Sequence, residues 1–176
     1  KGPLLASNDE ACKVPGTGHV LIIPVTHYST FGKIPTESQA DVTAELEKYK
    51  SSVRKMFNEY GHGMLTFEIS RESFRGLSHA HIQMVAIPKD KCDLVEQTVR
   101  ELGEKSGMEF IDQVPTDPEV PFFKLELPNG KPLVHLIDFK SRFNLQFGRL
   151  VASHVLGTPE REDWKSSAFK PFDFTQ

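Results

Sequence analysis

The sequence predicts an α+β fold built around a mainly antiparallel sheet. Three short apolar runs of β character lie at 18–25, 64–70 and 79–88. Two segments with helical spacing of apolar residues separate or follow them, at 36–60 and 94–106. An Asn-Gly pair at 129–130 lies between two further apolar runs and is typical of a hairpin turn. The length of 176 residues suits one core or two small linked ones.

The first half of the chain gives a strand, a helix and a second strand. The run 18–25, GHVLIIPV, is apolar enough for a buried strand. Thr36 with Gln39 forms a capping box that predicts a helix start, and Gly61 is the expected C-terminal stop. The run 64–70, MLTFEIS, predicts the second strand.

The middle of the chain predicts a loop, a third strand and a second helix. Residues 71–78, RESFRGLS, lack apolar periodicity and read as a loop, and the run 79–88, HAHIQMVAIP, reads as a strand. Asp90 or Asp93 is expected to cap the second helix, which Gly107 ends.

The C-terminal third predicts a hairpin and a third helix. Residues 112–121 contain three prolines and read as a linker. FFKLEL at 122–127 and PLVHLIDF at 132–139 are the strands of the predicted hairpin, and 143–156 has helical character. We therefore predict a first domain over 1–113 and a smaller α+β region over 114–176 packed on it.

The composition favours a globular protein without membrane spans. Hydrophobic residues make up 38% and charged residues 26%, and no apolar run approaches the roughly 20 residues that a membrane helix needs. Cys12 and Cys92 form no close metal-ligand pair, which favours a reducing compartment such as cytosol or nucleus. The net charge of −3 excludes an assignment to nucleic-acid binding from charge alone.

The most informative stretch is His79-Ala80-His81-Ile82-Gln83. Alternate side chains of a strand point to the same face, so His79, His81 and Gln83 would lie in a row opposite the apolar side. His27 stands just past the end of the first apolar run. This pattern predicts a phosphate site with two imidazoles and an amide.

The row also supplies the groups of a covalent phosphoryl transfer. A neutral imidazole attacks phosphorus when an acceptor holds its other ring nitrogen, and His81 in the middle of the row is best placed. His79 would orient it, and Gln83 would donate its amide to a phosphoryl oxygen but could not donate a proton to a leaving group. The preceding loop offers further donors: Ser78, Arg75 and Arg71.

Two alternatives compete with the phosphate site. The histidines could be hydrogen-bonded structural residues, which is the more frequent case for a single histidine. His79 and His81 could instead ligate zinc, but no third ligand stands at short spacing, so we expect no metal site.

A second group of polar residues lies in RFNLQFGR. Arg142, Gln146 and Arg149 have helical spacing and would share one face of the predicted helix. Such a face could bind the phosphate backbone of RNA, or it could be a solvated face with salt bridges; the sequence does not separate the two.

The pairing of GHVLIIPVTH with HAHIQMV resembles the histidine-triad (HIT) superfamily of nucleotide hydrolases and transferases. By this resemblance His81 matches the nucleophile, His79 the first histidine of the triad, and His27 the histidine beside the site. The third triad position is His in the hydrolases and Gln in the galactose-1-phosphate uridylyltransferase-like branch, and Gln83 stands here. Glu68 loosely matches a polar residue of the adjacent strand.

The segments GKPLVHLIDFKSRFNLQFGRLVASHVLG, EREDWK and PFDFT resemble the C-terminal region of the CwfJ-like splicing factors, which follows a HIT-like module. HAHIQMV is closer to the lariat-debranching-enzyme-associated branch of that family. Its members carry a metallophosphoesterase-like domain and a paired-cysteine, zinc-finger-like stretch upstream. We therefore expect no cofactor in this chain and any zinc upstream of it.

The resemblance implies an RNA-binding accessory factor of pre-mRNA splicing and intron-lariat turnover in the nucleus. Implied partners are branched or single-stranded RNA, the lariat-debranching enzyme and late spliceosome components, with no membrane. The rival hypothesis is an active nucleotidyl hydrolase, transferase or ribonuclease with His81 as nucleophile. A third is a protein-interaction scaffold whose histidine strand is a relic.

Overall fold

A computed structural model describes residues 14–73, 78–138 and 142–163 and confirms the α+β class. Its strands are β1 (His19–Ile22), β2 (His62–Ser70), β3 (Ile82–Pro88), β4 (Phe122–Glu126) and β5 (Pro132–Leu136). Its helices are α1 (Thr36–Glu59), α2 (Leu94–Lys105) and α3 (Phe147–Leu156). The predictions for Arg75, for Cys12 and for the segment PFDFT fall outside these ranges.

The described strands form one sheet in the order β1-β3-β2-β4-β5, and every neighbouring pair is antiparallel. The predicted buried strand at 18–25 is shorter than expected and half-buried, because β1 lies at the sheet edge. It ends two residues before Pro24, and a proline lacks the N–H that a continuing strand would use.

The predicted hairpin is confirmed, and it enlarges the sheet. β4 and β5 are joined by a tight turn in which Gly130 has φ of +89°, a conformation that favours glycine. Leu127 N–H donates to Lys131 O at 2.9 Å and closes the turn. Because β4 pairs with β2, the sheet runs through the predicted domain boundary; the division at residue 113 stays a prediction.

The sheet has two faces, which we name after the helices that cover them. Gln83 and Val85 point to the α3 face, and Ile82 and Met84 to the α1 face, following the strand alternation. α3 approaches its face closely, since a Cβ placed on Gly148 would lie 2.4 Å from the ring of Phe67.

The first two helices begin where they were predicted to begin, but the predicted side-chain caps do not form. Thr36 is the first residue of α1, with Pro35 as the preceding cap residue and no side-chain cap bond, so the capping box does not form. Asp93 occupies the cap position of α2 without a side-chain cap bond. Both predicted stops are confirmed: Gly61 has φ of +77° and Gly107 of +67°.

The third helix is shorter than the predicted 143–156. The side-chain oxygen of Asn144 accepts the N–H of Gln146 at 2.9 Å, which holds a turn where the helix was expected. α3 then begins at Phe147 and ends at Gly157, which is left-handed with φ of +76°. Its buried side chains join the core, whose largest fully buried members are Phe57, Phe123 and Phe147.

Residues 112–121 carry bends and turns and no strand or helix, as the linker prediction requires; their role as a linker between domains stays a prediction. Just before it, Ile111 forms an isolated bridge with Val134 of β5. Within the described ranges, no helix is both long and apolar enough to cross a membrane.

Candidate functional site

The predicted histidine row forms at the start of β3, but only Gln83 belongs to the strand. β3 begins at Ile82, so the predicted strand over 79–88 is three residues too long at this end. The backbone N–H of Ala80 donates to Tyr28 O at 2.7 Å, which ties the histidine segment to the loop after β1. The row therefore stands at the N-terminal end of β3, an inner strand, where two loops meet.

The ring of His81 has a defined hydrogen-bonding arrangement. Its Nδ1 lies 2.9 Å from the carbonyl oxygen of His79, and a carbonyl only accepts, so Nδ1–H donates. In the neutral ring the lone pair then lies on Nε2. Nε2 lies 3.4 Å from the amide nitrogen of Gln83, which only donates. Both contacts agree on the tautomer that nucleophilic attack requires.

Gln83 is buried, with 5% of its surface exposed, and both ends of its amide are engaged. Its Nε2 faces His81 as described, and its Oε1 lies 3.2 Å from Nε2 of His19. The strand partner opposite Gln83 on β2 is Phe67, which packs under Gly148 of α3. The amide is therefore held in place by the core on one side and by two imidazoles on the other.

His79 and His27 form the second part of the site. The Nε2–H of His79 donates to Pro24 O at 2.9 Å. The rings of His79 and His27 lie 4.5 Å apart between centroids, tilted by 44°. His27 is exposed. The four predicted residues His27, His79, His81 and Gln83 are thus brought together as one connected group.

His19 is a member of this group that the sequence analysis did not identify. It is the first residue of β1 and lies opposite Val85 of β3. Only the antiparallel pairing of β1 with β3 brings it beside Gln83, and this pairing has no local signature. The histidine at the head of GHVLIIPV was the available signal.

Ser78 is the last residue of the predicted loop 71–78, which was expected to supply donors to the phosphate. Ser78 N–H donates to the hydroxyl of Ser73 at 3.1 Å, and Ser73 N–H donates to the hydroxyl of Ser78 at 3.2 Å. This reciprocal pair joins the residues on either side of 74–77; Arg75 lies within that segment, outside the described residues. The adjacent Glu72 accepts from the hydroxyl of Ser29 at 2.8 Å, which ties the loop to the segment after β1.

The predicted helix face of Arg142, Gln146 and Arg149 is wrong. α3 begins after Gln146, so Arg142 lies in an irregular, exposed segment and Gln146 in the cap position. Arg149 is 3% exposed, and its Nε donates to Arg161 O at 2.8 Å and to Glu162 O at 2.9 Å. Burial lowers the pKa of Arg149 from its usual value. Roles for these residues in phosphate or RNA binding stay predictions.

Glu68 lies on the opposite face from the row. It stands opposite Ile82 and Lys124, so it shares the α1 face with them. Lys124 Nζ lies 3.8 Å from Glu68 and 2.7 Å from Glu126, and Lys50 of α1 lies 2.9 Å from Glu126. These four residues, Lys50, Glu68, Lys124 and Glu126, are named here the ionic cluster.

The ionic cluster is shielded from water, and its pKa values reflect this. Burial raises the pKa of Glu68, and the charge of Lys124 offsets only part of that rise. Burial acts to raise the pKa of Glu126 too, but hydrogen bonds from Lys124 and Lys50 outweigh it and lower the pKa. For Lys124, burial is outweighed by the two carboxylates, so its pKa is raised. Opposite charges thus outweigh the burial of Glu126 and Lys124, but they offset only part of the burial of Glu68.

The zinc alternative at His79 and His81 finds no support in the geometry. In the described ranges, no group of three or more His, Cys, Asp or Glu side chains is placed to hold a metal ion. A zinc site requires at least three protein ligands. The expectation that this chain uses no cofactor stays a prediction.

The chain is similar to proteins of one family. A family model described as "Protein similar to CwfJ C-terminal" matches residues 3–100. CWF19-like protein mug161 of Schizosaccharomyces pombe is 32% identical over 191 residues, covering 99% of this chain and 34% of the relative. CWF19-like protein 1 of Xenopus laevis is 32% identical over 185 residues, covering 89% and 32%.

Zinc finger CCCH domain-containing protein 59 of Oryza sativa is also 32% identical, over 181 residues that cover 94% of this chain and 26% of that protein. The chain spans about a third or less of the length of these curated relatives. The family model covers more than half of the chain, including β1, α1, β2, β3 and the histidine row. The chain therefore belongs to the family of proteins similar to the CwfJ C-terminal region.

Proposed function

We propose that this chain is an RNA-binding accessory module of pre-mRNA splicing and intron-lariat turnover that holds a phosphate at its histidine row. The observation that carries the proposal is the hydrogen-bonded chain His19–Gln83–His81 beside His79 and His27. The membership of the chain in the CwfJ family, with its relatives named CWF19-like proteins, supports the splicing context.

The row suits a phosphodiester because its groups can donate to anionic oxygens. Gln83 offers amide N–H. A protonated His81 would donate Nδ1–H to His79 O and Nε2–H to the ligand, in place of its contact with the Gln83 amide nitrogen. The exposed His27 stands at the outer end of the group. Binding that uses the imidazolium form strengthens as the pH falls, because acid populates that form.

The proposed partners follow from the family rather than from contacts. We propose that the RNA is branched or single-stranded, that the chain acts with the lariat-debranching enzyme and late spliceosome components, and that it works in the nucleus. A branch point offers an additional phosphodiester to the proposed phosphate site.

The test is an equilibrium titration of labelled branched RNA and of linear RNA of the same sequence. Wild type, His81→Asn and Gln83→Ala are compared at about 50 mM and 200 mM salt, because phosphate contacts weaken with salt. His154→Asn is the matched control, since His154 is exposed on α3.

We expect saturable binding that weakens about tenfold in the two site variants, as loss of one or two hydrogen bonds implies, and not in the control. Absence of RNA binding by wild type at low salt would contradict the proposal. Retention of the variants in spliceosomal complexes would then favour the scaffold function instead.

A second candidate function is catalysis, and the tautomer of His81 favours it. With Nδ1–H held by a carbonyl, the Nε2 lone pair can form a P–N bond as the bond from phosphorus to the leaving oxygen breaks. The leaving group keeps the electron pair and takes a proton from solvent, because Gln83 has none to give. Water then attacks phosphorus and loses a proton to solvent; the P–N bond breaks, and Nε2 of His81 keeps its electron pair.

The two candidate functions differ in their pH dependence. Attack needs neutral His81, so turnover rises with pH through the titration of that ring, while binding by the imidazolium falls. Mass spectrometry of the protein after incubation with nucleotides or RNA would detect a phosphoryl adduct on His81. An adduct absent from His81→Asn identifies an enzyme, and turnover unchanged by that substitution excludes His81 as the nucleophile.

A further inference from the structure

The segment 23–35 connects β1 to α1 and is hydrogen-bonded to the histidine row; it is named here the connecting segment. The carbonyl oxygen of Pro24 accepts the Nε2–H of His79 at 2.9 Å. The carbonyl oxygen of Tyr28 accepts the backbone N–H of Ala80 at 2.7 Å. The position of the connecting segment therefore decides where this end of the row stands.

The predicted linker, 112–121, contacts the connecting segment at two consecutive positions. The ammonium group of Lys33 donates a hydrogen bond to the carboxylate of Glu119. A Cβ placed on Gly32 would lie 3.0 Å from the Cβ of Pro118, so the missing side chain lets the predicted linker approach this closely. We name these four residues, Gly32, Lys33, Pro118 and Glu119, the linker contact.

The predicted linker is itself attached to the sheet. The carbonyl oxygen of Pro121, just before β4, accepts the N–H of Ile137, just after β5, at 2.9 Å. The side chain of Asp117 accepts the N–H of Glu119 at 2.9 Å, and its carbonyl oxygen accepts the N–H of Val120 at 3.2 Å. An aspartate turn of this kind holds the backbone that carries Glu119. The sheet thus supports the predicted linker, which in turn supports the connecting segment.

Glu72, at the end of the segment after β2, gives the connecting segment a further partner. Its carboxylate accepts from the hydroxyl of Ser29 at 2.8 Å and lies 4.0 Å from Nζ of Lys33. The hydrogen bond to Glu119 raises the pKa of Lys33, so the ammonium form persists through neutral pH. One exposed ion pair contributes little by itself, but here a lysine with two carboxylates and a packed proline act on the same short segment.

We infer that the linker contact holds the connecting segment and thereby positions His27 and His79 for a phosphate ligand. This rests on the proposed phosphate site and deepens it, because it makes that site depend on a segment outside the row. Lys33 and Glu119 are positioning residues that act through the connecting segment and not by contact with the ligand.

The first experiment measures hydrogen exchange of the Ala80 amide in the full 176-residue chain and needs no ligand. Because this amide donates to Tyr28, its exchange reports opening of the connecting segment. We expect exchange about threefold faster in Glu119→Gln and in Lys33→Met, the size of one exposed ion pair. The amide of Leu127, bonded within the hairpin at the other end of the sheet, should be unchanged.

Two further variants serve as controls for charge and for location. Lys33→Arg keeps a donor and a positive charge, so exchange at Ala80 should stay close to that of wild type. Asp112→Asn removes an exposed acid of the same predicted linker and should also leave it unchanged. Wild-type exchange at Ala80 in both Glu119→Gln and Lys33→Met would overturn the inference. Equal acceleration at Ala80 and Leu127 would overturn it too, because it indicates a global loss of stability.

The second experiment measures binding of a nucleoside 5′-monophosphate at about 200 mM salt, which screens long-range charge effects. Glu119→Gln and Lys33→Met change the net charge in opposite directions, yet both should weaken binding by about two- to threefold. The double variant should bind about as weakly as either single variant, because both remove the same contact.

A direct contact of Lys33 with the ligand gives a different pattern. Lys33→Met would then weaken binding, whereas Glu119→Gln would strengthen it by releasing the lysine from its carboxylate. That pattern would overturn the inference, as would unchanged binding in both variants of a chain whose wild type binds the probe.

The two experiments separate the inference from the proposed function. If wild type does not bind the probe, the phosphate site fails, while exchange at Ala80 still decides whether the linker contact holds the connecting segment. If wild type binds and exchange at Ala80 does not respond to Glu119→Gln or Lys33→Met, the site stands and the positioning role is wrong.

Discussion

Both faces of the sheet hold polar side chains among apolar ones, but these side chains find different partners on the two faces. On the α3 face, His19, Gln83 and His81 are joined by neutral hydrogen bonds. On the α1 face, the ionic cluster pairs two lysines with two glutamates. The neutral chain ends at a ring nitrogen that changes role with protonation, whereas the members of the ionic cluster mainly compensate one another's charges.

This difference predicts a ligand-binding role for the histidine row and a structural role for the ionic cluster. Removing one member of a buried ion pair leaves a charge without compensation and costs stability. Removing one member of a neutral chain mainly changes which groups donate and accept. We therefore expect substitutions on the α1 face to act on folding and substitutions in the row to act on ligands.

The largest expected effect lies where α3 meets its face of the sheet. Gly148→Ala places a Cβ 2.4 Å from the ring of Phe67, which is buried and cannot move aside cheaply. We expect a loss of about 2–3 kcal/mol in the free energy of unfolding, as overpacking implies. Urea denaturation measures it. Phe67→Leu in the same chain should recover part of the loss; a gain of about 1 kcal/mol from helix propensity alone would contradict the packing.

On the α1 face, Lys50→Met tests the ionic cluster. Lys50 is 5% exposed and bonded to Glu126, so its removal leaves Glu126 to Lys124 alone. We expect a loss of about 2 kcal/mol, below the full cost of an unpaired buried charge because one partner remains. Phosphate binding by the folded variant should be unchanged. Lys48→Met, at an exposed position of the same helix, is the control. An equal loss of stability in this variant would contradict a stabilising role for the ionic cluster.

Arg149 and Arg142 form a matched pair that separates structure from recognition. Arg149→Met removes hydrogen bonds to two carbonyls and should cost about 1–2 kcal/mol of stability. Arg142→Met, at an exposed position, should change stability by less than about 0.5 kcal/mol. We expect only Arg142→Met to lower RNA affinity in a low-salt titration without affecting the melting temperature. The reverse assignment would place Arg149 in the RNA site.

We expect a smaller effect of pH on stability, which arises from the ionisation of Glu126. The pKa of Glu126 is lower in the folded protein than in the unfolded chain. The ionised carboxylate therefore stabilises the fold at pH values above the unfolded pKa, and this stabilisation is lost as the pH falls through the folded pKa. Glu126→Gln should therefore lower Tm by a few degrees at neutral pH and by less in acid. Scanning calorimetry of both proteins across this range measures the difference. A constant difference would show that the ionisation of Glu126 does not matter.

Much of the fold was predictable because its signals are local. Alternating apolar residues, the Asn129-Gly130 turn and the stops at Gly61 and Gly107 all act within a few residues. The side-chain caps and the start of α3 were less predictable. A proline at position 35 replaced the expected cap, and Asn144 diverted the chain into a turn before α3.

The site was predictable only in part, for a related reason. His79, His81 and Gln83 are two residues apart, and their shared side follows from an extended backbone. His19 joins them only through the pairing of an edge strand with β3. Arg149 shows the opposite case. Its helical spacing predicted a role in phosphate or RNA binding, but in the structure its Nε donates to backbone carbonyls that follow α3.

The most direct test is a titration of the isotope-labelled chain with a nucleoside 5′-monophosphate. Nuclear magnetic resonance monitors the side-chain signals of both faces during the titration. We predict a saturable change at His81, Gln83 and His19, none at Lys50 or Glu126, and loss of the change in His81→Asn. No response at the row, or a response centred on the ionic cluster, would contradict the claim that the histidine row is the phosphate site.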